Sequence, residues 1–232
     1  MWAPARVSAI DGLVAPNLRV RVFAVDGENA ASDFAQLSDG ERLRAMRFQR
    51  SADRASFVAG RAALRRELGG ELGISPTAVV IGQTAWGRPR LPAGLADDLD
   101  FNVTHSGGHV AIAVARGRRV GVDIESVTME RDLELLIREV MGSREQARLA
   151  RLDGLERTHT FYECWTRKEA LVKAFGIGIS YPLRAIDIPE LPADGRVALD
   201  ENGTSLATAR HWTVRTARVS GSLVLSVAFD GE

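Results

Sequence analysis

"VGVDIE", residues 120–125, is the stretch on which the reading of this chain turns. Apolar residues alternate with others, the pattern of a strand with two unlike faces. Val120, Val122 and Ile124 share one face and point to a core, while Gly121, Asp123 and Glu125 share the other. Two carboxylates placed this way stand roughly 6–7 Å apart, with a glycine beside them that leaves room for a ligand. Like charges at that spacing gain nothing structurally unless a cation lies between them. Oxygen-only donors favour magnesium, which keeps waters and takes phosphate oxygens. The alternative is a solvent-exposed strand face.

Outward from this strand, the alternation of Val110–Ala115 predicts another, joined to it as a hairpin through Arg116–Arg119. A strand at Asp100–Thr104 and a turn at Ser106-Gly107-Gly108 precede the pair, and an N-terminal strand is predicted over Leu18–Val25. Ser38 or Asp39 caps a helical region that runs to about Leu68, broken near Phe48–Ser51 and ended by Gly69-Gly70. A Gly- and Pro-rich loop follows, centred on Trp86-Gly87-Arg88-Pro89. Helices are predicted over Leu133–Met141, Ser143–Leu152 and Arg157–Phe175, the last stopped by Gly176, and then strands near Trp212–Ala217 and Leu223–Phe229. "AALRRELG" (62–69) resembles "EALVKAFG" (169–176), and "SDGERLR" (38–44) resembles "SREQARL" (143–149), which suggests two related halves meeting in a cleft.

Two further segments carry candidate chemistry. In "FYECWTRKEALVKAFG", Phe161, Cys164, Trp165, Val172 and Phe175 form one helical stripe, with Glu169 and Lys173 one turn apart on its flank. That pair is either an intrahelical ion pair or a metal ligand beside a phosphate contact. Lys168 falls inside the stripe, so its ammonium must snorkel out or find a partner. In "NVTHSGG", His105 follows a strand beside two glycines, a turn open to an anion.

Composition narrows the classes. With 45% hydrophobic and 26% charged residues the chain is an ordinary globular protein. Its zero formal net charge argues against a general nucleic-acid binder. No apolar run spans a bilayer and the N-terminus lacks a signal-peptide pattern, so a cytoplasmic location is expected. The single cysteine, Cys164, excludes an intrachain disulfide and reads as a buried thiol. Eight arginines crowd between Arg42 and Arg66, either a solvated helix surface or a site for a small polyanion.

"FNVTHSGG", "GVDIE" and "WTRKEALVKAFGIG", spanning residues 101–178, together resemble the phosphopantetheinyl transferase family, of the long surfactin-synthetase-activating type. "DRASFVAGRAALRREL" and "WGRP" upstream extend the resemblance over most of the chain. The resemblance implies an α+β fold of two pseudo-symmetric halves, 1–117 and 118–232, each an antiparallel sheet packed with helices, acting as a monomer with the active site between them. It implies transfer of 4'-phosphopantetheine from coenzyme A to a serine of an acyl or peptidyl carrier protein, with no nucleic acid or membrane involved. It assigns magnesium to Asp123, Glu125 and Glu169, and coenzyme A contacts to Thr104, His105 and Lys173. Arg44 and Arg61 match the family's 3'-phosphate residues and Arg88 its adenine end, while the family's lysine ahead of them is replaced by Glu41 or Arg42. Glu145, with Glu139 as the second choice, matches the proton acceptor. A coenzyme A-binding module without catalysis, a metal-dependent phosphohydrolase and a structural interaction protein are the competing readings.

Overall fold

Alternation of Leu18, Val20 and Val22 with arginines makes β1 (Leu18–Ala24) a strand buried on one face. The helices α1 (Ala30–Gln36), α2 (Asp39–Ala45) and α3 (Ser51–Leu72) follow, then β2 (Gly82–Gln83), β3 (Pro89–Arg90), β4 (Leu99–Ser106), β5 (His109–Arg116) and β6 (Val120–Ser126). The chain continues through α4 (Leu133–Val140), α5 (Ser143–Leu149) and α6 (Gly154–Phe175) to β7 (Asp194–Leu199), β8 (Arg210–Ser220) and β9 (Leu223–Asp230). The computed structural model describes residues 15–25, 27–129, 132–176, 181–186, 188, 194–199 and 210–231. Ile177-Gly178, the end of the third motif, lie outside the described residues.

Two antiparallel sheets, ordered β1-β5-β4 and β6-β9-β8-β7, carry the fold, and β2 pairs with β3 beside them. In each large sheet the first strand of its segment pairs with the last, and the last with the one before it. The sheets bury their inner faces against each other, Val20, Val22, Ala111 and Ala113 meeting Val122, Ile124, Leu225 and Val227. The 22-residue α3 covers the outer face of the first sheet through Ala63, Leu64 and Leu68. The 22-residue α6 covers the second through Ala170, Leu171 and Ala174.

Three sequence expectations change. β5 and β6 are not a hairpin: β5 pairs with β1 and β4, and β6 pairs with β9. Gly117, at φ 70°, turns the chain from one sheet into the other. α3 runs through Gly69-Gly70 and ends at Gly73, because Gly69 is where the returning chain crosses the helix: a Cβ there would lie 2.8 Å from the Ile74 carbonyl oxygen. Gly121 does not make room for a ligand. It makes room for α6, since a Cβ at Gly121 would stand 2.0 Å from the Ala170 carbonyl oxygen and 2.4 Å from the Ala174 nitrogen. Both obstacles are backbone, so Gly121→Ala is expected to destabilise the fold by about 3 kcal/mol by forcing helix and strand apart. Thermal unfolding measures it, and an unchanged melting temperature would refute this tight helix–strand contact.

The two sheets also meet along a polar seam. β6 is an edge strand, and its outward N–H and C=O groups need partners when buried. β4 supplies them from the side chains of its inner face. Asp100 accepts from the Val120 amide at 2.8 Å, Asn102 from Val122 at 3.0 Å and Ser106 from Ser126 at 3.1 Å. The two-residue steps on both strands show that β4 and β6 run parallel. Arg88 closes the start of the seam, donating through Nη2 to Asp100 at 2.8 Å, to the Phe101 carbonyl at 3.0 Å and to the Val120 carbonyl at 2.8 Å.

Candidate active site

Asp123 sits at the middle of this seam, where β4, β6 and α6 come together, and is 2% exposed. Its Oδ1 accepts from Lys173 Nζ at 2.5 Å and from Thr104 Oγ1 at 3.1 Å, and Lys173 also donates to Thr104 at 3.2 Å. The other oxygen, Oδ2, is buried with no hydrogen-bond partner. Burial raises the Asp123 pKa above the ordinary carboxylate value, with Lys173 opposing. Two residues along the same strand face, Glu125 accepts from Ser106 Oγ at 2.7 Å. Its pKa is pushed up to about 7, by burial first and then by the charge of Asp123. From α6, Glu169 adds a third carboxyl whose pKa is raised by burial, lowered by Lys173 and raised by Asp123. Glu125 and Glu169 thus each sense the charge of Asp123, and Lys173 is the countercharge felt by all three.

His105 follows Thr104 on β4, on the opposite face of the strand. It is exposed, and its pKa is lowered by loss of hydration first and by the Lys173 charge second. The cluster therefore joins a carboxylate oxygen without a donor to an ammonium and an imidazole. Such a set suits a charged phosphate ligand with a cation: the carboxylates take the cation, the lysine and histidine the phosphate oxygens. Asp123 Oδ2, together with oxygen donors on Glu125 and Glu169, fits magnesium chemically. Among the described residues, however, no three His, Cys, Asp or Glu side chains close into a metal-holding set. In this arrangement Asp123 is neutralised by Lys173 instead.

The first-half arginines divide by burial. Arg44 is exposed and Arg61 is 8% exposed, and both guanidinium groups stack on the Phe57 ring, at 5.2 and 5.6 Å from its centroid. Arg61 also faces Glu41 at 3.5 Å, and its pKa is lowered, chiefly by burial. Arg42, Arg65 and Arg66 are committed to internal partners: the Phe34 and Ala35 carbonyls, Glu41 and Asp33. Arg88 serves the seam, and it also lines a cavity of about 610 Å³ with Phe175, Gly176, Arg118 and Arg119.

Glu145 does not join the cluster. It is 1% exposed and ion-paired with Lys168, which is fully buried. Its Oε2 also accepts from the Gly142 amide at 2.7 Å, and its Oε1 from Ile188 at 3.2 Å. Lys168 further donates to the Val140 and Leu183 carbonyls at 2.9 and 3.2 Å. The partner that Lys168 needed in its apolar stripe is therefore Glu145. The first half repeats the device. Glu41 caps the Ser38 amide at 2.8 Å and binds Arg65 on α3 at 2.8 Å, just as Glu145 caps α5 and binds Lys168 on α6. An arrangement repeated away from the cluster is a fastening between a short helix and a long one. In this arrangement Glu145 ties α5 to α6 and stands apart from the carboxylate cluster. Glu139, the second choice, is exposed on α4.

Comparison with known proteins settles the family. Residues 119–228 match the profile of the 4'-phosphopantetheinyl transferase superfamily, and residues 28–117 match that of the 4'-phosphopantetheinyl transferase N-terminal region. The 4'-phosphopantetheinyl transferase HetI of Nostoc sp. is 34% identical over 198 residues, covering 85% of this chain and 80% of the relative. The chain belongs to the 4'-phosphopantetheinyl transferase superfamily. A putative 4'-phosphopantetheinyl transferase of Synechocystis sp. is 32% identical over 77% of this chain and 70% of the relative. The 4'-phosphopantetheinyl transferase Sfp of Bacillus subtilis is 28% identical over 71% of this chain and 70% of its own length.

In this transferase the structure brings Thr104, His105, Asp123, Glu125, Glu169 and Lys173 to one seam and leaves Glu145 in the core behind it. Two partners escaped the sequence reading. Ser106 holds Glu125, and Trp165 donates to Glu169 and lowers its pKa. Ser106 was within reach of a period-two argument, because it shares a strand face with Thr104. Cys164 is buried as expected, with Arg148 Nη2 at 2.6 Å from its sulfur. Among the described residues no helix is long and apolar enough to cross a membrane.

Proposed function

We propose that this transferase moves 4'-phosphopantetheine from coenzyme A to a serine of an apo acyl or peptidyl carrier protein, with magnesium held by Asp123, Glu125 and Glu169. The observation that carries the magnesium reading is the buried, partnerless Asp123 Oδ2 beside two carboxyls of raised pKa. Bound there, magnesium would neutralise charge on the pyrophosphate. Lys173 and His105 bind phosphate oxygens and stabilise the charge that grows on them as the serine oxygen bonds to the β-phosphorus. The bond from that phosphorus to the bridging oxygen breaks, 3',5'-adenosine bisphosphate leaves, and the serine proton passes to Glu145, with Glu139 as the second choice, directly or through a water. Arg44 and Arg61 hold the 3'-phosphate, and the cavity beside Arg88 takes the adenine end. The proposal extends to two pseudo-symmetric halves, 1–117 and 118–232, with the site between them; it takes the enzyme to be a cytoplasmic monomer that acts without nucleic acid or membrane. Arg138 and Arg144, exposed near α4 and α5, steer an acidic carrier. Incubation with coenzyme A, magnesium and an apo carrier tests the reading by intact mass. The carrier gains one phosphopantetheine; release of phosphate without carrier modification would identify a hydrolase instead.

A pH effect on stability follows from Glu125. Its folded pKa of about 7 lies above the unfolded value of 4.5, so between those values the folded state binds more protons. Without divalent cation, stability is present at low pH and falls as pH rises through 7, with a slope of up to about 1.4 kcal/mol per pH unit. Calorimetry in a chelator from pH 5 to 8 measures this slope. It is expected to flatten in Glu125→Gln, and to shrink when magnesium binds the ionised form. A slope indifferent to Glu125→Gln would show that this carboxyl does not titrate there.

A further inference from the structure

We infer that Asn102 is a positioning residue for the transfer reaction, and that it acts by fixing the phase of β4 against β6. The inference rests on the proposed function of the cluster. No backbone ladder joins these two edge strands. Their alignment is carried by side chains, those of the β4 row with Arg88 at its start, and Asn102 is the most buried of that row, 5% exposed, accepting from the Val122 amide at 3.0 Å. On either side lie Asp100 on Val120 and Thr104 on Asp123. Thr104 and His105 belong to one strand, Asp123 and Glu125 to the other, so the phosphate-binding and carboxylate groups are in register only if the seam is. A slip of one side-chain step would move them by about 6.5–7 Å, far beyond hydrogen-bond reach. Asn102 itself points at the backbone of Val122, the residue before Asp123, and it is absent from the lining of the cavity beside Arg88. A truncation there loosens the alignment without removing any group assigned to coenzyme A or magnesium.

Hydrogen exchange and kinetics test this together. In the unmodified enzyme the Val122 amide is expected to exchange as slowly as those of Gly121 and Asp123, although β9 is not its partner. Exchange at the rate of an open edge overturns the seam, whether or not any variant folds. In Asn102→Ala the Val122 amide exchanges about tenfold faster, as befits one lost hydrogen bond. The kcat/KM for coenzyme A falls about 10–100-fold through misalignment, while the KM for the carrier stays unchanged. Asn102→Asp, which keeps an Oδ1 acceptor, recovers most of both. Leu64→Ala, buried under the first sheet, lowers the melting temperature by other means and serves as the control. An equal kinetic loss in Leu64→Ala, or fast exchange in Asn102→Ala with unaltered kcat/KM, overturns the positioning role. If the unmodified enzyme loads no carrier, the proposed function fails, and the exchange rates still judge the seam.

Discussion

Lys168→Met is expected to destabilise the protein by about 3–5 kcal/mol, because it leaves Glu145 charged and unpaired in the core. Both side chains are essentially without solvent contact, at 0% and 1% exposure. The carboxylate would keep the Gly142 and Ile188 amides but lose the countercharge of Lys168. For a chain of this length the loss corresponds to about 6–20 °C in melting temperature. Combining Lys168→Met with Glu145→Gln should return part of it, since removing both charges removes the buried ion. The same cycle separates fastening from catalysis. If Glu145 only ties α5 to α6, Glu145→Gln lowers stability while kcat, measured well below the melting temperature, stays within about tenfold and keeps its pH profile. A larger drop of kcat with unchanged melting temperature would mark Glu145 as the proton acceptor.

This pair also shows where sequence reasoning ran out. The stripe on α6 placed Lys168 among apolar residues, and simple chemistry then demanded a partner. Which acid answered was a tertiary fact: α5 had to fold back before Glu145 could reach. The same limit explains Gly121. Its face on β6 was legible from period two, but that face meets α6, and whether the gap holds a ligand or a helix depends on the approach of a distant segment. Strand pairing was the weakest inference of all. Short separation favoured a β5–β6 hairpin, yet each strand found its neighbours in a different sheet, β6 pairing with β9 about a hundred residues downstream. By contrast, Thr104, His105, Asp123, Glu125, Glu169 and Lys173 were all named from short motifs. A strand face and one helical turn fix the relative positions of residues two or four apart, and those are local geometries.

Asp123→Asn is expected to cut turnover by about 10³-fold or more while leaving the melting temperature unchanged or raised. The activity loss follows from removing the one carboxylate that joins the strand face to Lys173 and offers an unpartnered oxygen to a cation, an electrostatic contribution of about 4 kcal/mol. The stability change has the opposite sign because burial already disfavours the Asp123 charge, which is why its pKa is raised. An amide of the same shape accepts from Thr104 without that desolvation cost. Lys173 then stands without its carboxylate, but its side chain is 26% exposed and can carry its ammonium to water. This is the reverse of Lys168, whose partner has nowhere to go. A group that weakens the fold yet is kept in it is one the chemistry requires. Melting curves and carrier loading measured on the same preparation decide the matter. Normal loading by Asp123→Asn would remove the carboxylate cluster from the reaction, and a fall in melting temperature like that of Lys168→Met would make Asp123–Lys173 a second fastening.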